Sequence, residues 1–234
     1  MKKTIALFLI ASLGFIGACK KTEPEPEPEV TPTEQPSNGT LTVILKKNIG
    51  SPTTPDVILA TAFFLDNPAS TNYTKVDCVI VNNVGLTYAP ATKLYQTPNN
   101  TLTDTTKAKW EVKGNNGIPS FTYENKRKMP EYRDYVLTPD SIPSDKNGYT
   151  LTLKGLLNAD SYSVTLTDKY GVTVRKTQMD VKINTVQFSP SDLSKLDASA
   201  TIQVTLINKH SESTGGKRFS IQNEINYYKK IKIS

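Results

Sequence analysis

Strict alternation of apolar and polar residues most constrains what this chain can fold into. Gly148-Tyr149-Thr150-Leu151-Thr152-Leu153-Lys154 sets Tyr149, Leu151 and Leu153 on one side, because successive side chains of a strand point to opposite faces of a sheet. Tyr162, Val164 and Leu166 repeat the pattern, as do Met179, Val181 and Ile183, and Ile202, Val204 and Leu206. Turn-forming clusters separate the runs: Lys146-Asn147-Gly148, Lys169-Tyr170-Gly171 and Gly215-Gly216. Ser191 to Leu196 reads as a short helical turn capped by Ser189 or Ser191. A short helix there suits the crossing between two sheets of an immunoglobulin-like sandwich. The expectation is a seven-stranded C-terminal domain over 131–234, resting on strand count and spacing, since no pair of cysteines is present to link its sheets.

Residues 40–130 predict a second, less regular β-sandwich. Its strands are expected at Leu41–Lys46, Val57–Leu65, Lys75–Asn82, Gly85–Tyr88, Lys107–Val112 and Ser120–Glu124. The run from Val57 to Leu65 is apolar at both parities, and a strand apolar on both sides needs cover on both. Ile58, Ala62, Phe64 and Val79 therefore mark an apolar face covered either within the chain or by a partner protein. Cys78 alternates with Asp77 and shares a side with Val76 and Ile80, the pattern of a small buried thiol. The fold class is thus all-β: two immunoglobulin-like sandwiches in tandem.

Catalytic patterns are missing. The single histidine, His210, lies in the polar run Asn208-Lys209-His210-Ser211-Glu212-Ser213, read as a turn before the last strand. Triads and most zinc sites require histidine beside particular partners. Glu111, Glu124 and Glu131 fall where outward polar residues belong. The oxygen-rich stretch from Asp140 to Gly148 lacks calcium-loop spacing, and its end is explained by a tight turn. The expectation is a non-enzyme with no cofactor and no metal.

Binding is the sharper possibility, since aromatic rings stack on sugar faces. Tyr123, Tyr132 and Tyr135, with Arg133 beside the latter two, are the candidates for a glycan site. Trp110 shares a parity with Ala108 and Val112 and reads as core. Tyr227-Tyr228-Lys229-Lys230 is another aromatic and basic site, in which one tyrosine of the adjacent pair points inward.

The first forty residues concern location. Lys2 and Lys3 precede an apolar stretch from Ile5 to Ile16, too short for the about 20 residues a spanning helix needs and of signal-peptide length. Ile16-Gly17-Ala18-Cys19 resembles the lipobox of bacterial lipoproteins. The resemblance implies a signal peptide over 1–18 and a lipidated Cys19, anchored in the outer membrane by two or three acyl chains. Over 19–39, Glu23-Pro24-Glu25-Pro26-Glu27-Pro28-Glu29 has no apolar surface to bury. As an extended tether the segment reaches up to ~60 Å at about 3.1 Å per residue.

Trp110-Glu111-Val112-Lys113, a glycine-rich turn and Ile118-Pro119-Ser120-Phe121, together with the ending from Gly216 to Ile231, resemble a pattern of uncharacterised Bacteroidota envelope lipoproteins built of immunoglobulin-like modules. That resemblance implies no catalytic activity. Either a glycan or envelope ligand, or a partner protein docked on the apolar face, is expected, on the periplasmic or the surface side. From Thr40 on, 24 Lys and Arg face 17 Asp and Glu, a charge of +7. Such a surface suits acidic glycans or lipopolysaccharide phosphates, but the charges are scattered along the chain, as simple solubility would also require. An exported chain excludes nucleic acid as its partner.

Overall fold

The computed structural model describes residues 36–233 apart from 50–52, 99–101, 104–106, 134–136, 140, 144 and 198. The expected signal peptide, Cys19, the Glu-Pro segment up to residue 35, and Tyr135 all lie outside the described residues. In the first half the strands are β1 (Gly39–Asn48), β2 (Val57–Phe64), β3 (Cys78–Val81), β4 (Val84–Gly85), β5 (Thr87–Ala89), β6 (Leu94–Gln96), β7 (Lys109–Lys113) and β8 (Phe121–Glu124). Short strands β9 (Glu131–Tyr132), β10 (Leu137–Thr138) and β11 (Ser141–Ile142) follow. Then come β12 (Tyr149–Leu153), β13 (Leu156–Leu157), β14 (Ser161–Asp168), β15 (Thr173–Gln178), β16 (Thr185–Phe188), helix α1 (Pro190–Leu193), β17 (Ser199–Thr214) and β18 (Lys217–Ile233).

The chain is all-β, and one sheet dominates it. Nine strands join in the order β15-β14-β17-β18-β1-β2-β6-β5, with β11 also paired to β18. Every pairing is antiparallel except β1 and β11 on β18. The backbone of this sheet is the β17–β18 hairpin, whose strands of 16 and 17 residues extend roughly 55 Å at about 3.4 Å per residue. Its turn is Gly215-Gly216, both at positive φ, where a side chain would be strained.

Two smaller sheets cover the same face of this large one, each enclosing a core. The three-stranded sheet β10-β12-β16 sets Tyr149, Leu151, Leu153, Val186 and Phe188 against Val164, Leu166, Ile202, Val204, Leu206, Ile225 and Tyr227. The four-stranded sheet β4-β3-β7-β8 sets Val79, Val81, Trp110 and Val112 against Leu41, Val43, Ala60, Ala62, Phe64, Phe219 and Ile221. The expected tandem modules therefore take another form. Phe219 and Ile221, from the last strand, belong to the first core, and Thr40 to Asn48 pair in register with Ser220 to Tyr228. The reason is the length of the final hairpin, which runs under both small sheets.

Between the cores the inner face turns polar. Asn208 and Asn223 stand opposite each other on β17 and β18, and both are buried. Asn125 donates to Asn223 Oδ1 at 3.0 Å, and Asn223 donates to the Arg127 carbonyl at 3.0 Å. Asn208 donates to the carbonyls of Lys128 and Asn158, both at 2.7 Å. These amides tie residues 125–128 across the sheet and substitute for the ladder that this irregular segment lacks.

Local chemistry explains where two expectations miss. Met179 and Ile183 are exposed, because the strand there is β15, ending at Gln178. The preceding turn decides this: the Asp168 carboxylate accepts from the N–H groups of Tyr170 and Val172 at 2.9 and 2.8 Å, and Gly171 takes a φ of 84°. That turn fixes the register at Thr167 opposite Thr173 and buries Val174. His210 lies within β17 opposite Ile221 rather than in a turn, since pairing with β18 carries its polar run to Thr214. The helix forms over Pro190–Leu193 with Ser189 as its cap, in a reciprocal box with Asp192.

Candidate functional site

The face of the large sheet away from both cores carries no residue of either core, although Thr42, Ser163, Thr205 and Asn226 on it are buried. Its residues follow from the registers. Across one row lie Arg175, Thr165, Gln203, Tyr228 and Asn48, on five neighbouring strands. Another row holds Thr87, Gln96, Thr61, Thr42 and Gln222. The inner parity of the same strands carries Val204, Leu206, Ile225 and Tyr227. Tyr227 is 1% exposed, whereas its neighbour Tyr228 is half-buried on the open side. The adjacent tyrosine pair thus divides between the two faces as the alternation requires.

Around Tyr228 the side chains are held in place by one another. Gln203, directly opposite it on β17, donates to Thr205 Oγ1 at 2.9 Å and to Asn226 Oδ1 at 2.8 Å. Thr205 donates to the same Asn226 oxygen at 2.5 Å, and Asn226 donates to Glu224 Oε1 at 2.6 Å. Arg175 is held by donation to Ser163 Oγ at 3.0 Å. Burial, followed by the Glu224 charge, raises the Tyr228 hydroxyl above its ordinary pKa, so it stays a neutral donor. A fixed amide, a hydroxyl and a ring edge or face on a flat sheet are groups that match a sugar ring: hydroxyls to the amides, C–H groups to the aromatic surface.

The residues singled out in the sequence fare differently. Tyr132 is fully buried, packed edge-on to Tyr227 at 5.6 Å, with its N–H donating to Tyr227 Oη at 3.0 Å. It is core and offers no ring to a sugar, because the interdomain stretch where it was expected is instead paired as β9 with β13. Arg133 is exposed and within 3.7 Å of Glu131. Tyr123 is half-buried and stacks on His210, 5.5 Å between centroids at 18°. Burial and then Glu212 raise its hydroxyl pKa. Tyr123 and Tyr132 are not brought together: the first packs on one core and the second lies within the other.

The apolar partner face is also reassigned. Ala62, Phe64 and Val79 are 0–1% exposed and face inward, and Ile58, partly buried, packs on the same core. The opposite parity of β2 is covered in part from within the chain, where Phe63 meets Tyr73 at 5.7 Å. Trp110 is core, as its parity implies. Sequence reasoning passed over Gln203, Thr205, Asn226, Glu224 and Arg175. Their signal was present as the polar partners in each alternating run, and it acquires meaning only when the runs are set side by side.

No family model matches the chain, and no similar curated protein is found. A solved structure reported as structural insight into host cell surface retention of a 1.5-MDa bacterial ice-binding adhesin is similar at 14% identity and a TM-score of 0.25. The match covers 86% of this chain and 65% of that one. A likeness of that size carries no argument about fold or activity.

Proposed function

We propose that this chain is a lipid-anchored envelope protein that binds a glycan, without catalysis, on the open face of its nine-stranded sheet. The observation that carries the reading is the pre-set network of Gln203, Thr205, Asn226 and Glu224 beside the half-buried Tyr228. Four polar side chains locked to one another have already lost the rotamer freedom that ligand binding would otherwise remove. The anchor rests on the lipobox resemblance at Cys19. Against docking of a partner on Ile58, Ala62, Phe64 and Val79 stands the burial of the last three.

Affinity electrophoresis of the detergent-purified full chain through gels containing different polysaccharides tests the binding. Retardation by at least one polysaccharide, abolished in a folded Tyr228→Ala chain, is expected. A folded wild-type chain that no polysaccharide retards contradicts the reading. Fatty-acid labelling in cells, lost on Cys19→Ala, checks the anchor separately.

A further inference from the structure

The positive charges that look scattered along the sequence are gathered by strand register onto the open face. Along β18 the outward positions read Arg218, Ser220, Gln222, Glu224, Asn226, Tyr228, Lys230 and Lys232. Lys46 joins them from β1, opposite Asn226, and Arg175 from β15, in the row of Tyr228. Glu224 is the one carboxylate on these strands' outward side, and its Oε1 is engaged by Asn226. Among the described residues, Lys46, Arg175, Arg218, Lys230 and Lys232 have no ion-pair partner. The cations that do find carboxylates lie elsewhere: Lys47 with Asp56, Lys109 with Glu111, Arg127 with Asp160, Lys169 with Asp197 and Lys176 with Asp192.

We infer that this face takes a linear polysaccharide bearing carboxylates, a polyuronate, laid along β18 with its acidic groups on Arg218, Lys46, Lys230 and Lys232. The inference rests on the glycan reading above and adds the ligand's charge. Extent argues for a polymer: Arg218 and Lys232 are 14 positions apart on β18, roughly 48 Å at about 3.4 Å per residue. Unpaired cations of one sign on a flat face attract such a chain and set its lie. The residues between the cations argue for a sugar over a lipid surface. Gln203, Gln222 and Tyr228 carry amides and a hydroxyl that sugar hydroxyls can satisfy and acyl chains cannot.

The test is surface-plasmon binding of the detergent-purified full chain to immobilised polygalacturonate, neutral dextran, anionic phosphatidylglycerol vesicles and a single-stranded oligonucleotide. Binding to polygalacturonate is expected to exceed that to dextran and to weaken as salt rises toward 0.5 M, where screening sets in within about 4–5 Å. Lys230→Gln with Lys232→Gln is expected to weaken it about tenfold, at up to about 1 kcal/mol for each exposed charge. Lys107→Gln with Lys109→Gln, just before and at the start of β7 in another sheet, leaves it unchanged. Equal binding to dextran and polygalacturonate, insensitive to salt, overturns the charge inference and leaves the glycan reading standing. Stronger binding to the vesicles or the oligonucleotide overturns the acidic-glycan inference in favour of a lipid surface or another polyanion. Absence of binding to polygalacturonate by a folded chain overturns the charge inference, and the electrophoresis series above decides the glycan reading separately.

Discussion

Tyr227 and Tyr228 are neighbours in sequence and opposites in environment. Tyr227 is sealed in a core, where its hydroxyl accepts the N–H of Tyr132. Tyr228 lies on the open side beside Gln203 and Asn226. The contrast recurs along the hairpin on either side of the Asn208 and Asn223 seam: one parity packs under two small sheets and the other carries amides, hydroxyls and unpaired cations. Stability and the proposed recognition therefore fall on the same strands at alternate residues, and a substitution can strike one without the other.

The largest expected effect breaks that pairing most sharply. Tyr227→Ala removes a fully buried ring and strands a buried N–H, and a loss of about 3–5 kcal/mol is expected. Tyr228→Ala removes a half-exposed ring from the open face, and about 1 kcal/mol or less is expected. Urea denaturation of both variants checks the pair. Equal losses would show that the open face is structural after all.

An intermediate effect is expected at the polar seam between the two cores. Asn223→Ala leaves the Asn125 amide and the Arg127 carbonyl without their partner. The expected loss is about 2 kcal/mol, the usual penalty for buried polar groups left unmet. The same denaturation curve shows whether the cores still melt together. Two separate transitions would mean that the seam, and not only the shared sheet, couples them.

The smallest effect concerns acid. Burial opposes ionisation of Asp160, but its hydrogen bond from Arg127, the Lys209 N–H and the Arg127 charge overrule that and lower its pKa. The hydrogen bond from Lys176, then the N–H and hydroxyl of Ser189, hold Asp192 down to about 2. Both carboxyls are more acidic folded than unfolded. The stability they supply is thus complete above the unfolded value near 4 and is lost as pH falls toward about 2. Melting temperature is expected to be flat from pH 7 to 5 and to decline below pH 4. In Asp160→Asn with Asp192→Asn the decline is shallower, by up to about 1 kcal/mol since both groups are partly exposed. An acid slope identical to wild type would show that other carboxylates carry it.

Much of the fold was legible because it is local. Alternation located the strands at Tyr149–Leu153, Ser161–Asp168 and Lys109–Lys113. The pairing of β1 with β18 joins Thr40 to Ser220, and no local pattern reports a contact between opposite ends of a chain. That pairing turns two expected modules into one sheet over two cores. The same reason hid the basic face: Lys46, Arg175 and Lys230 are distant in sequence and gain common cause through register. Tyr132 misled because a tyrosine between two expected domains looks free, whereas β9 pairs with β13 and seals it. Residues 208–213 looked like a turn because a strand with one open side and a polar seam has little apolar alternation to show.

Lysine footprinting tests the division of faces most directly. The full chain is acetylated briefly with and without polygalacturonate, and each lysine's rate is read by mass spectrometry. Slower modification of Lys46, Lys230 and Lys232, with Lys107, Lys113 and Lys154 unchanged, is the expected result. Protection at Lys107 and Lys113 with none on Lys230 and Lys232 would place the ligand elsewhere and contradict the assignment of the open face.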